Sequence, residues 1–439
     1  MTMTRHPVKK FIFTLAIFAL IFGGSIPGKA AAEKAATAAS SNAIVYYLSD
    51  DDSLYRVKTD GSPSEKMQDS FEGYKVRKAG NYMYYYYDDE NTSITTLQRI
   101  SLSAPLTAPS NFGGDKEILY YDTSGNYVYY MNEDGNIYRA LGDASSNAEA
   151  KLIADHANTE FPNFSIINGR IYYNALKDGY TTWAASKAAD GSGNVQWIAS
   201  GAVEGSFFVH TYNSTLYLMV NTNPAETQYS TDCVVLYYLP INGGTAKAVN
   251  AKAPLDVNAV YSGSWINDGY VYNKGIRLDS KKEYDYTLGK GHIITKSGTT
   301  FPLNKTGVYD IVNSGTNKLA YVDAYGKAHV STITNNKVTS TKTIQRTNVS
   351  RIINLMNNGK VKSTILFAGS GTYVLNDDLS TKKLEGIEWD NSTYEEGIPG
   401  IFYANSADNY RLYRMNDDGK ASVKLTDDKV SSVLLITKP

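Results

Sequence analysis

A repeat constrains this chain more than any other feature. One unit reads Ile44-Val45-Tyr46-Tyr47, an acidic turn at Asp50-Asp51-Asp52, Leu54-Tyr55-Arg56-Val57, then a Thr59-Asp60-Gly61 turn. The succession returns as Tyr127-Val128-Tyr129-Tyr130, Asn132-Glu133-Asp134-Gly135 and Ile137-Tyr138-Arg139, and again as Ile401-Phe402-Tyr403, Leu412-Tyr413-Arg414-Met415 and Asn416-Asp417-Asp418-Gly419. Weaker copies start at Ile171-Tyr172-Tyr173 and Leu216-Tyr217-Leu218. Turn residues precede the copies at Gly80, Gly125, Gly169, Ser214, Gly269, Gly315, Gly359 and Gly397, at intervals of 45, 44, 45, 55, 46, 44 and 38 residues. A period of about 40 to 50 residues belongs to four-stranded propeller blades or to helical arrays. Helical arrays are excluded, because each unit consists of short Tyr- and β-branched-rich runs between Gly, Asn and Asp turns, with no sustained 3.6-residue apolar period.

The physics of one unit favours blades. A run such as Tyr-Val-Tyr-Tyr suits an inner strand covered on both faces by neighbouring blades, and the next run, Leu54-Tyr55-Arg56-Val57-Lys58, alternates. A lone four-stranded sheet cannot bury both faces, but a ring of them can. The expected fold is all-β: a β-propeller of about eight, within seven to nine, four-stranded antiparallel blades over residues 43–439 as one domain. Closure is expected to pair the chain ends, with Val433-Leu434-Leu435-Ile436 as a buried strand. The longest interval is expected to carry an extended loop at 221–231.

The unit pattern resembles the propeller domain of bacterial secreted proteins related to the low-density-lipoprotein-receptor YWTD propellers, a domain of unknown function. The resemblance rests on Val45-Tyr46-Tyr47 with Leu54-Tyr55-Arg56 and Asp60-Gly61, and on the 127–139 and 401–419 copies. It weakens between about 215 and 397, and the Tyr-Trp-Thr-Asp tetrapeptide is absent. It implies a non-catalytic propeller outside the cell and carries over no catalytic residue.

The N-terminus has the tripartite pattern of an export signal. Arg5, Lys9 and Lys10 precede an apolar run from Phe11 to Phe22, followed by helix breakers and small residues at 28–32. The run is too short to span about 30 Å of hydrocarbon. Residues 1–32 are therefore read as a cleaved signal peptide and 33–42 as a disordered leader, with no membrane span afterwards. The protein is expected to be secreted, extracellular or cell-wall associated. With 43 basic and 44 acidic residues overall and four of the basic ones inside the signal, the mature chain is mildly acidic, which argues against nucleic acid as a partner. The single cysteine, Cys233, excludes an internal disulfide.

Catalytic constellations are sparse. His156, His210, His292 and His329 are not spaced as metal ligands, and no nucleophile elbow or phosphate loop occurs. Cys233, in a strand-like run, is expected to be a buried small hydrophobe. The acidic groups at 50–52, 88–90, 132–134 and 417–418 are read as hairpin turns, which use Asp and Asn for local backbone hydrogen bonds, rather than as calcium sites. Asp178-Gly179-Tyr180-Thr181-Thr182-Trp183 has the wrong spacing for a sialidase Asp-box. No catalytic, cofactor-binding or metal residue is assigned, and no cofactor is expected. Tyrosine is abundant, 36 against 13 Phe and 4 Trp. Tyrosine pairs in register are expected to pack between blades, whereas Tyr180, Tyr284, Tyr286 and Tyr394 break the pattern and are the binding candidates.

The expected function is a non-enzymatic binding propeller, a monomer that takes a protein or neutral glycan on one loop face near 221–231. The alternative is an extracellular glycoside hydrolase or lyase using two channel carboxylates, which would need to lie roughly 5 to 9.5 Å apart.

Overall fold

The computed structural model describes residues 42–438 apart from 90–91, 206–208, 224–231, 279–283, 316, 358–359, 389–391, 396–397 and 417–421. Residues 1–32, read as a signal peptide, nearly all of 33–42, read as a leader, and most of 221–231, read as an extended loop, lie outside the described residues.

The described strands form eight blade-sized antiparallel sheets and a small inserted hairpin. Seven of the sheets are single blades. The eighth has seven strands and holds two blades, joined through the 16-residue strand Ser422–Thr437. Its first half pairs with Arg411–Met415 as the fourth strand of the last blade. Its second half pairs with Ile44–Ser49, placing Tyr46 opposite Leu435 and Val45 opposite Ile436. Among the described residues the ring thus has nine four-stranded units, the upper end of the expected range.

This closure explains the spacing of the turn marks. Gly80, Gly125, Gly169, Ser214, Gly269 and Gly315 each sit in the hairpin between the first and second strands of a blade; Gly359 and Gly397 fall in the corresponding gaps, outside the described residues. The first blade has no such hairpin, because its first and second strands are the two ends of the chain. Eight marks therefore delimit nine blades. Several of these turns need a left-handed backbone, as at Gly80 (φ +57°), Gly125 (φ +58°) and the Asn168-Gly169 pair (φ +48° and +73°), which only glycine and asparagine adopt readily. The intervals follow loop length. The longest spans the crossover containing the short helix Val257–Tyr261, capped by Asp256 onto the Asn258 amide at 2.8 Å. A second insertion, the hairpin Arg277–Leu278 with Tyr284–Asp285, was not foreseen from the spacing.

The core lies between blades. Second strands are the most buried, as in Tyr127–Asn132 and Lys318–Asp323. Successive side chains on a strand point to opposite faces, so each tyrosine pair feeds two interfaces. Tyr84 packs between blades 2 and 3 while Tyr85 packs between blades 1 and 2. Tyr129 and Tyr130, and Tyr172 and Tyr173, divide in the same way. The rings meet edge-on, as Tyr86 meets Tyr121 at 4.7 Å and 87°. Several of their hydroxyls are satisfied by backbone, as Tyr84 Oη donates to Gly142 O at 2.9 Å and Tyr270 Oη to Val260 O at 2.8 Å, whereas those of Tyr86 and Tyr173 are buried without a hydrogen-bond partner. The expectation that paired tyrosines are packing residues holds. The closing run departs from expectation: only Ile436 of Val433–Ile436 is buried and the other three are half-exposed, because this segment is a first strand at the channel wall.

Tyr84→Ala is expected to destabilise the protein by about 3 kcal/mol or more, since it opens a cavity and strands polar partners at one interface. Removing residues 430–439 should abolish the cooperative thermal transition, because it takes away the first strand of blade 1. Calorimetry checks both, and a ten-residue truncation that melts like the intact protein would mean that closure is not what holds the ring.

Candidate functional site

Strand order assigns every loop to one of two faces. The loops joining second to third strands, and the crossovers from one blade to the next, emerge on one face, here called the crossover face. Hairpins joining first to second and third to fourth strands emerge on the other. The five strongly exposed tyrosines among the described residues are Tyr74, Tyr180, Tyr309, Tyr325 and Tyr410, and all sit at the crossover face. Tyr180 is 91% exposed at the tip of a hairpin. Of the exposed aliphatics and tryptophan, Leu288 joins the tyrosines at this face, in the blade 6 insertion, whereas Leu106 and Leu141 lie at third-to-fourth-strand connections and Leu152, Trp197 and Val423 lie on outer fourth strands.

The tyrosines cluster most densely over blades 6 and 7. Tyr286, in the blade 6 insertion, meets Tyr309 edge-on at 5.1 Å, where Tyr309 begins the first strand of blade 7. Backbone bonds hold this patch together: Gly307 N donates to Tyr286 O at 3.2 Å and Ala324 N to Gly307 O at 3.0 Å, placing Tyr325 alongside. Gly307 is required there, since a Cβ would lie 2.3 Å from Tyr286 O. Of the pattern-breaking tyrosines, Tyr180 and Tyr286 are thus on the crossover face. Tyr394 packs against the core between blades 8 and 9. The Tyr284 side chain lies outside the described residues.

First strands line the channel, and two ion pairs link neighbouring ones. Arg77 Nε on blade 2 lies 3.7 Å from Asp122 Oδ1 on blade 3. Arg351 Nε on blade 8 lies 3.5 Å from Asp310 Oδ2 on blade 7, which also accepts from Ile352 N at 2.8 Å. Burial raises both carboxyls; Asp310 is pushed from 3.8 to about 6, opposed by Arg351 and the two amides it binds. Beside the first pair, Lys75 Nζ lies 3.6 Å from the Tyr120 ring centre and 5.1 Å from that of Tyr86. Burial brings its ammonium down to about 7. The two aspartates sit on blades 3 and 7, across the ring, and each answers to an arginine rather than to a second carboxylate.

The other sequence candidates are structural. His210 stacks on Trp265 at 5.2 Å and bonds Asn267 O, and burial lowers its pKa. His329 bonds Asp323 at 2.9 Å and stacks on Tyr321. His292 bonds its neighbour Lys290 O, and His156 is exposed beside Asp155. Cys233 is buried. Asp51 accepts from Ser49 and Ser53, Asp88 from Tyr74 and Thr95, and Asn132 from Asn136 N, as hairpin turns do. Asp417 and Asp418 lie outside the described residues, and among the described residues no three His, Cys, Asp or Glu side chains converge as metal ligands. No described helix is long and apolar enough to cross a membrane.

Sequence reasoning missed the inter-blade asparagines. Asn174 donates to Phe161 O and Val203 O and accepts from Val203 N at 2.8 Å, clasping the entries to blades 4 and 5. Asn273 repeats this with Ser262 O and both backbone groups of Val308. The available signal was an Asn closing a Tyr-rich run in both units.

No family model matches the chain, and no curated protein matches it. Among solved structures it is similar to a eukaryotic initiation factor, with 11% identity, a TM-score of 0.46, and coverage of 90% of this chain and 97% of that one. It is also similar to apo AztD from Citrobacter koseri (10% identity, TM-score 0.41, coverage 90% and 96%) and to BamB from Moraxella catarrhalis (10%, 0.37, coverage 74% and 89%). The propeller assignment rests on the strand order itself.

Asp310 makes the protein sensitive to pH in a defined direction. Its raised pKa means that the folded state holds this proton more tightly than the unfolded chain. The contribution is complete below about pH 4 and is lost as pH rises through 6. The displacement corresponds to about 3 kcal/mol. Asp310→Asn should therefore show a smaller loss of stability than the parent between pH 4.5 and pH 7 in denaturant titrations. An unchanged slope would exclude Asp310 as its source.

Proposed function

We propose that this protein is an exported, non-enzymatic binding propeller, at the bacterial cell surface or in the medium, whose crossover face takes a protein or neutral glycan. The observation carrying this reading is that every strongly exposed tyrosine among the described residues lies on that face. Exposed aromatic rings are apolar bodies with a polar tip, suited to stacking on sugar rings and to anchoring protein partners. The resemblance of the repeat to secreted YWTD-type propellers supports the same reading, as does the export signal. The mild acidity of the mature chain favours an uncharged ligand for the face as a whole. The second and third strands of blade 5 that flank 221–231 open on this face by strand order, at Asn221 and Asp232.

The hydrolase alternative finds less support. Asp122 and Asp310 are held by arginines on separate blades rather than paired for acid and nucleophile roles.

A panel of glycans and envelope extracts titrated with purified mature protein tests the reading. Saturable binding is expected, weakened about tenfold by Tyr309→Ala with Tyr325→Ala and unchanged by Leu106→Ala on the opposite face. Turnover of any substrate that Asp310→Asn or Asp122→Asn abolishes would replace the binding reading with the hydrolase. N-terminal sequencing should place the mature start near Ala31 or Glu33; an intact Met1 in a membrane fraction would make the apolar run an anchor.

A further inference from the structure

The crossover face is not uniform in charge. On blades 1 to 3 this face presents Asp50, Asp51, Asp88 and Asp134, of which Asp50 is paired with Lys429 and Asp134 with Lys116. Over blades 6 and 7 the fully exposed charges of this face among the described residues are lysines: Lys274, Lys290, Lys305 and Lys327. Lys274 and Lys290 stand directly opposite each other on adjacent antiparallel strands of blade 6. Like charges so placed repel and destabilise a sheet. Among the described residues no ion pair offsets them. The described lysine ion pairs involve Lys66, Lys116, Lys383, Lys424 and Lys429 instead. Of the described carboxylates of the sector, Asp323 is held by His329 and Asp310 by Arg351, while Asp285 accepts from Thr287 and keeps its charge without pairing with either lysine.

These lysines border the Tyr286–Tyr309–Tyr325 patch. Lys290 precedes Gly291, whose amide bonds Thr306 O next to Lys305, and Lys327 follows Tyr325 by two residues. We infer that this sector is a subsite for an acidic glycan, a uronate-bearing chain whose sugar faces stack on Tyr309 and Tyr325 while its carboxylates meet the lysine pair and Lys305. This rests on the crossover face being the binding face, and it replaces the uncharged ligand there, because local charge overrides the net charge of the chain at contact distance. Two features favour a sugar chain over an acidic peptide. The rings stand exposed on a surface rather than in the desolvated pocket that peptide anchors occupy. Lysine, a point charge without arginine's bidentate fork, tolerates carboxylates recurring along a flexible chain.

The test titrates full-length mature protein with oligogalacturonate, a neutral galacto-oligosaccharide of equal length and poly-glutamate. Oligogalacturonate should bind at least about tenfold more tightly than the neutral chain and weaken with added salt. Lys274→Gln with Lys290→Gln should lose that preference while raising Tm, since the repulsion is relieved; Tyr309→Ala should also weaken binding. Equal affinity for the neutral chain, or indifference to the double lysine change, would overturn the acidic subsite and leave the binding face intact. Tighter binding of poly-glutamate with Tyr309→Ala silent would overturn it in favour of an acidic protein. No saturable binding anywhere on the crossover face would overturn this inference and the binding reading together.

Discussion

The structure depends on one arrangement: adjacent large apolar or aromatic side chains on a second strand, two aromatics in blades 1 to 4 and 9, each turned to a different neighbouring blade. A pleated strand sends consecutive side chains to opposite faces, so Tyr46 enters the interface with blade 2 and Tyr47 the interface with blade 9. Each blade therefore shares its core with both neighbours and has little core of its own. Stability is a property of the ring, and a break at any interface exposes apolar surface on two blades.

Tyrosine suits this position better than phenylalanine because the interfaces include backbone at blade ends. Tyr121 Oη reaches Tyr84 O at 3.0 Å, and Tyr47 Oη reaches Asp428. Burial raises the pKa of these phenols, so they remain neutral donors. The asparagines at 174 and 273 and the Arg99 guanidinium, which donates to Ala144 O at 2.7 Å, extend the same logic: each satisfies backbone groups of a neighbouring blade that no strand ladder can reach.

A ring held in this way leaves its loops free to vary. The crossover face carries the insertions, the exposed tyrosines and both acidic and basic sectors, over strands whose burial pattern hardly changes from blade to blade. Rigid strands beneath variable loops are the usual basis for recognition. The channel differs, because Arg77–Asp122 and Arg351–Asp310 tie neighbouring blades together and serve closure as much as chemistry.

The repeat period, the strand character of each unit and the packing role of the tyrosine pairs were legible in the chain, because they arise from short-range rules: strand alternation, turn chemistry and a repeated interface. The eight turn marks also held the blade number, though reading it required knowing that the first blade is closed by the two chain ends. The candidate site was legible only in fragments. Tyr180 and Tyr286 stood out because they break the pattern, but Tyr309 and Tyr325 did not. The opposition of Lys274 and Lys290 across sixteen residues depends on hairpin register around an insertion. The Arg77–Asp122 and Arg351–Asp310 pairs depend on blade adjacency. Sequence determines which face of a strand a residue occupies; only the closed ring decides which residues of different blades share an end of the channel, because that proximity comes from the radial packing of whole sheets.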